Sequence, residues 1–469
     1  MKKINKVLAL TLSMLIAATT MTACTSGKGG ASGSEPGSEP GSSASEESTP
    51  TGKGGEIYFL NFKPEIAEVY DAIAKDYEAE TGVKLNVVTA ASGTYEQTLK
   101  SEIAKKDAPV LFQINGPKGY AVWKDYCKDL KDTELYQHLT DKSMAIQSGG
   151  GVYGIPYVVE GYGIIYNNAI MQKYFALDGA KAKSVDEINN FTKLKEVVED
   201  MTARKAELGI EGVFASTSLT PGEDWRWQTH LANLPMHYEW KNGNVDLTSD
   251  ATKEITFEYA DNFKSIFDLY INNSTVAPGL LGSKSVDDSM AEFALGKAAM
   301  VQNGNWAWSQ ISGVQGNTVK EEDIKFMPIY IGMEGEENQG LCIGTENFFA
   351  INAKADPAQQ KLAEDYLYWL YSSDKGKDYV TNQLGFIAPF DTFTDDEKPA
   401  DPLAREVLDW MGKDGINTVT WDFLVFPNQT FKDEFGAALL EYAQGTKTFD
   451  EVKQIVVESW KTESAGNNA

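Results

Sequence analysis

The chain has 469 residues, 42% of them apolar and 11% aromatic, more than one hydrophobic core usually organises, so two domains or lobes are expected. Its formal net charge is −26, with 42 Lys and Arg against 68 Asp and Glu. No basic patch of useful size is present, which excludes a nucleic-acid partner, and the acidity is read as solubility outside the cytoplasm.

Lys2, Lys3 and Lys6 precede an apolar run from Val7 to about Ala18. A charged start, a short apolar centre and small residues before a break mark a secretory signal over 1–23, and the run is too short for a comfortable membrane span. Met21-Thr22-Ala23-Cys24 resembles the lipobox of bacterial lipoproteins, with Met where Leu is commoner, which implies that Cys24 becomes the lipidated first residue of the mature chain. From there to Gly54 the chain is Ser, Gly, Glu and Pro, with a repeated "GSEP" and no large apolar residue. Such a segment buries too little to fold and is expected to be a flexible tether. Signal, Cys and tether are the Gram-positive-like layout of a protein held at the outer face of a membrane by its lipid alone.

"GGEIYFLNF" (54–62) is expected to be a strand. Pro64 suits a first helical turn; Ile66, Val69, Tyr70, Ile73 and Tyr77 follow at helical spacing, and Gly82 ends the helix. "VKLNVV" (83–88) alternates as a strand, 94–107 reads as a helix and "APVLFQIN" (108–115) as a strand. This order implies a parallel sheet covered by helices, with ligands at the carboxyl ends of its strands, where "NFKPE" (61–65) and "QINGPKG" (113–119) lie. Further helices are expected over 184–209, 251–273, 356–376, 431–445 and 448–461, with a disordered tail at 463–469 and no internal repeat or second membrane segment.

Motifs for metal, nucleophilic or phosphate chemistry are missing. "GGGVYG" (149–154) fits GxGxxG formally, but Pro156 follows at once and the stretch reads as a turn. His138, His230 and His237 lack metal-ligand spacing, so neither metal nor cofactor is expected. With 68 acidic residues, carboxylate pairs arise by chance and do not by themselves argue for a glycosidase. Cys127 and Cys342 are read as buried free thiols rather than a disulfide.

At "YGIPYVVEGYGIIYN" (153–167), "FALGKAAMVQNGNWAW" (293–308) and 346–376 the chain resembles the family-1 extracellular solute-binding proteins of carbohydrate ABC importers, above all the maltose and maltodextrin binders among them. The likeness covers most of 55–462. It implies an α/β fold of the periplasmic-binding-protein-like type II, with two discontinuous lobes, a hinge and an interlobe ligand cleft. Residues 55–160 and about 345–373 would form one lobe, and about 161–344 with 374–462 the other. The crossings would fall near Tyr157–Tyr162, Cys342–Asn347 and Ser372–Lys377. It also implies an oligosaccharide ligand, a partner permease with its ATPase, no enzymatic activity, and a monomer.

The resemblance places individual residues. Glu160 matches a hinge-side carboxylate that accepts sugar hydroxyls, or is a salt-bridged hinge residue; Tyr162 lies beside it. Trp306 matches a stacking Trp and Trp308 its neighbour, about 200° away if both lie on a helix. The stretch 221–233 falls where relatives place an acidic residue and an aromatic under the sugar, so Trp225 is the stacker, Glu223 and Asp224 acceptors, and Trp227 a second aromatic. Arg226, one of three arginines, offers fixed donors or is a surface cation. Asn61, Lys63, Gln113 and Asn115 on strand-end loops are further contacts. Gln113 stands where the maltose binders have a stacking Trp, and Phe431-Lys432 near their C-terminal one, so the floor of the cleft has changed. Aromatic faces against the C–H face of a pyranose, with planar polar groups for its rim, suit a sugar. The reading is thus an oligosaccharide receptor, leaning to α-gluco-oligosaccharides. The alternatives are a secreted carbohydrate hydrolase, or the same fold with another sugar class.

Overall fold

A computed structural model describes residues 54–466 apart from Ser92, Thr248 and Asp395. The expected signal, the lipidation at Cys24, the tether up to residue 53 and the last three residues lie outside the described residues.

Twelve strands form two sheets among the described residues: β1 (Gly55–Asn61), β2 (Val83–Thr89), β3 (Leu111–Asn115), β4 (Ile146–Ser148), β5 (Gly151–Pro156), β6 (Glu160–Asn167), β7 (Gly212–Phe214), β8 (Ala298–Gly304), β9 (Ile324–Met327), β10 (Gln339–Gly344), β11 (Asn347–Ile351) and β12 (Asn417–Val419). The first sheet runs β2-β1-β3-β11-β5-β4. β1 is parallel to β2 and β3, and β11 joins antiparallel with Asn347 opposite Asn115. The second runs β12-β10-β6-β8-β7, with β9 also on β6. The chain leaves the first sheet between β5 and β6 and returns between β10 and β11.

Local signals place the first elements. The helix Ala67–Thr81 buries Tyr70, Ile73 and Tyr77 and ends where Gly82, at φ 70°, donates its N–H to Glu78; a left-handed C-terminal residue is cheapest as glycine. Gly149 and Gly150, at φ 56° and 84°, make the turn between β4 and β5. One core packs Ile57, Phe59, Tyr157, Phe349 and Tyr371 under the first sheet, and another packs Tyr162, Ile164, Phe214 and Trp227 under the second. Cys127 and Cys342 are buried and unpaired. Among the described residues no helix is long and apolar enough to cross a membrane.

Several expected boundaries move. The helix expected over 184–209 is confined to Phe191–Ala203 and Lys205–Leu208, because the Asn190 side chain accepts from Lys193 N–H and starts a helix there. In 251–273 only Ala260–Asn272 is a regular α-helix: Glu239 accepts from Thr256 and Glu258 N–H at 2.7 Å each, and Phe257, fully buried, sits at φ 51°. Ser373 breaks 356–376 by accepting from Gly376 N–H to cap a new helix. The tail expected at 463–469 is helical to Gly466, where Glu463 accepts from Asn428 Nδ2 at 2.7 Å. Beyond Ser372–Lys377, Tyr379, Val380, Leu384, Phe386 and Phe390 pack in the first core, while Ile387 and, from the helix Pro402–Met411, Leu403 and Val407 join a cluster with β6 and β8 residues.

Candidate functional site

The site is built on the end of β6 nearest the crossing. Glu160, its first residue, pairs with Gly344 of β10, and Tyr162 pairs with Gly304 of β8. Those two glycines make room for two indoles. A Cβ on Gly304 would lie 2.2 Å from the Trp306 ring, and one on Gly344 2.6 Å from Trp421. Gly304→Ala is therefore expected to displace Trp306 and weaken ligand binding at least tenfold (about 1.4 kcal/mol) in a folded protein, read by calorimetry beside a circular-dichroism melt.

Trp306 caps the short helix Ala307–Ser312 and is half-buried. It lies 5.9 Å from Trp225, 5.5 Å from His230 and 6.4 Å from Trp421, centroid to centroid. His230 stands at the centre of this group, stacked on Tyr162 at 4.3 Å and 5.2 Å from Phe423. Burial, reinforced by Arg226, Lys432 and Lys63, drives its pKa well down, so the imidazole is neutral. Arg226 lies with its guanidinium carbon 3.9 Å from the Trp225 ring centre. Because Trp306 precedes the helix proper, the 200° separation does not apply, and Trp306 and Trp308 border the same cavity.

From the other lobe, Lys63 Nζ reaches Glu160 at 2.7 Å and Glu65 at 3.4 Å, and stands 5.7 Å from the Trp306 ring. Burial disfavours the Lys63 charge, but Glu160 and Glu65 outweigh it and the pKa is raised. Glu160 is pushed up by burial against the pull of Lys63. Glu160 is thus salt-bridged to Lys63 and borders the cavity described below. Gln113 Oε1 accepts from Phe62 N–H at 2.5 Å, and Asn115 Nδ2 donates to Glu346 at 2.9 Å.

Other expected contacts turn away. Asn61 is fully buried and shapes the Lys63 loop, donating to Lys63 C=O and accepting from its N–H. Tyr162, also fully buried, donates to His230 C=O and supports the imidazole from below. Glu223 accepts from Val286 N–H at 2.7 Å at the start of a helix. Trp227 is a core residue, donating to Ser218 C=O and packing on Phe267 and Tyr270. Phe431 is likewise core, against Phe435 and Trp460. The C-terminal aromatics here are Trp421 and Phe423, which sequence reasoning missed. The signal was "TWDF" just beyond β12.

Asp224 faces Gly436, where a Cβ would stand 1.7 Å from its Oδ2. Burial, opposed by backbone hydrogen bonds, raises its pKa from 3.8 to about 7. The folded state therefore holds this proton between those values while the unfolded chain has lost it. The contribution is full below the unfolded pKa and lost as pH rises through about 7. Urea unfolding at a series of pH values is expected to show a wild-type slope, absent in Asp224→Asn, of up to about 1.4 kcal/mol per pH unit.

The lobes touch across the mouth. A Cβ on Gly93 would meet Gly222 C=O at 3.0 Å, and one on Gly116 would meet Leu424 at 3.2 Å. Between the lobes lies a cavity of about 280 Å³ bordered by Lys63, Glu65, Glu160, Trp306, Trp308 and Phe386, near the lower end of the roughly 300–1,000 Å³ of ligand pockets. A wider groove of about 490 Å³ between the last two helices is lined by four glutamates and no aromatic ring. Several buried polar atoms have no partner, among them Gln113 Nε2, Arg226 Nη1, Gln302 Oε1, Trp306 Nε1, Asn347 Oδ1 and Trp421 Nε1. Each such atom costs about 1–3 kcal/mol, and they come from both lobes. Among the described residues no cluster of His, Cys, Asp and Glu could hold a metal ion.

Two sheets with their crossings beside an aromatic cleft define a two-lobed clamp for a small solute. The family model described as bacterial extracellular solute-binding protein matches residues 72–407, and the chain belongs to that family. No curated protein matches it significantly. Similar solved structures include a chitin oligosaccharide binding protein (TM-score 0.66, 17% identity, covering 88% of this chain and 100% of that one). The maltose-bound T. maritima MalE3 is similar at TM-score 0.63 and 16% identity, over 87% and 99% of the two chains. The solute-binding protein RafE in complex with raffinose is similar at 0.63 and 17%, over 88% and 100%. At these identities the likeness defines the fold.

Proposed function

We propose that the protein captures an oligosaccharide between its lobes and delivers it to the permease and ATPase of an ABC importer. The observation that carries this is the Trp225–Trp306–Trp421 group beside buried, unpartnered donors and acceptors from both lobes. Rings of this kind cover the C–H face of a pyranose, and the orphaned groups match its hydroxyl rim. Structural neighbours named for chitin oligosaccharide, maltose and raffinose support the sugar class, and among gluco-, galacto-, manno- and xylo-oligosaccharides we favour the α-gluco series from the maltose-binder resemblance. Closure follows from a ligand that touches both lobes and so favours the closed state. An importer must release its cargo, so the affinity is expected near micromolar, about −8 kcal/mol. The lipid on Cys24 would hold the receptor, as a monomer, at the outer membrane face. Calorimetry against those four series, with product analysis by chromatography, tests the reading. Saturable one-to-one binding with intact sugar supports it; no binding by any series, or steady hydrolysis, overturns it. In cells, Cys24→Ser is expected to release the protein into the medium.

A further inference from the structure

Of the three arginines, Arg204 pairs with Asp200 at 3.1 Å and Arg405 with Glu321 at 3.6 Å. Arg226, only 3% exposed, forms no ion pair with any described residue, and its Nη1 has no hydrogen-bond partner. Its acidic neighbours are engaged elsewhere: Glu223 accepts from Val286 N–H, Glu65 from Lys63 Nζ, and Asp224 faces Gly436. The guanidinium lies against Trp225, which with His230 and Trp306 forms one continuous aromatic group that reaches the cavity through Trp306. Burial pulls its pKa down to about 9, against the charges of Glu223 and Glu65. A buried charge without a direct ion-pair partner is costly, and ring contact compensates only part of that cost. A neutral hydroxyl on Nη1 would fill the hydrogen bond and leave the charge unbalanced. A carboxylate does both, and its planar oxygens suit the guanidinium fork.

We infer that the oligosaccharide taken by this cleft carries a carboxylate, as a uronic acid residue does, and that Arg226 is the residue that selects it, the sugar ring lying on Trp225 and Trp306. The inference rests on the receptor reading and narrows its ligand class. Lys63 does not compete for the acid group, because Glu160 and Glu65 already hold it.

Calorimetry with matched pairs tests this: glucuronic-acid-substituted xylotriose against xylotriose, trigalacturonate against galactotriose, and a maltotriose oxidised to the terminal uronate against maltotriose. For at least one pair, the acidic member is expected to bind wild type at least tenfold tighter, an advantage that shrinks with added salt. Arg226→Gln is expected to abolish that advantage, and Arg226→Lys to keep part of it. If neutral members bind as well as acidic ones, or the preference survives Arg226→Gln, the inference is overturned and the oligosaccharide receptor stands. If no member of any pair binds, the inference falls, and the receptor reading falls with it if the manno series fails too. The wild-type comparison decides even if a variant fails to fold.

Discussion

Trp306→Ala is expected to weaken oligosaccharide binding at least tenfold, about 1.4 kcal/mol or more. The indole is the meeting point of the cleft: Trp225, His230 and Trp421 surround it, and Lys63 of the opposite lobe approaches its ring at 5.7 Å. Its Nε1–H is buried without a partner. Removing it takes away an apolar face and a donor together. Its stability cost should be modest, since Trp306 is half-buried. Calorimetry reads the affinity and a denaturant melt the fold; unchanged affinity would put the platform elsewhere.

Lys63→Met is expected to cost roughly 3–5 kcal/mol of stability, because it strands Glu160 as a buried carboxylate. The pair is 2.7 Å long, and both side chains are under 10% exposed, at 7% and 5%. Glu65 and Glu346 act on the same ammonium, so its loss also brings acids of like charge together. Glu160→Gln in the same chain is expected to recover much of the loss, since the stranded carboxylate is then gone. Urea unfolding of the single and double variants checks this; equal stabilities of Lys63→Met and wild type would show that the pair is not buried in solution. The raised Lys63 pKa adds a pH arm: the pair's stabilisation is full below the ordinary lysine pKa and is lost only as pH rises through the raised one.

The parallel β1–β3 part of the first sheet was legible because its signals are local: alternation in β2, helical spacing closed by Gly82; β4, β5 and β11, which join antiparallel, were not, and Gly151–Gly154, read as turn, is strand. The break at Phe257 was not, since it depends on Glu239, on another helix, taking the backbone donors. Trp306 stands out in the sequence through the motif around it. His230, Trp421 and Phe423 do not, because distant segments bring them together over Tyr162. In 221–233, composition alone made five side chains look alike. Packing separates them: Arg226 lies against Trp225, while Glu223, Asp224 and Trp227 go to a helix start, to Gly436 and to the core. Gly304 and Gly344 carry no signal until the indoles they accommodate are known.

Capture by closure of one lobe on the other is tested most directly by small-angle X-ray scattering of the wild-type protein, free and then saturated with the oligosaccharide that calorimetry identifies. Closure predicts a smaller radius of gyration on saturation. An unchanged radius at full saturation would contradict it.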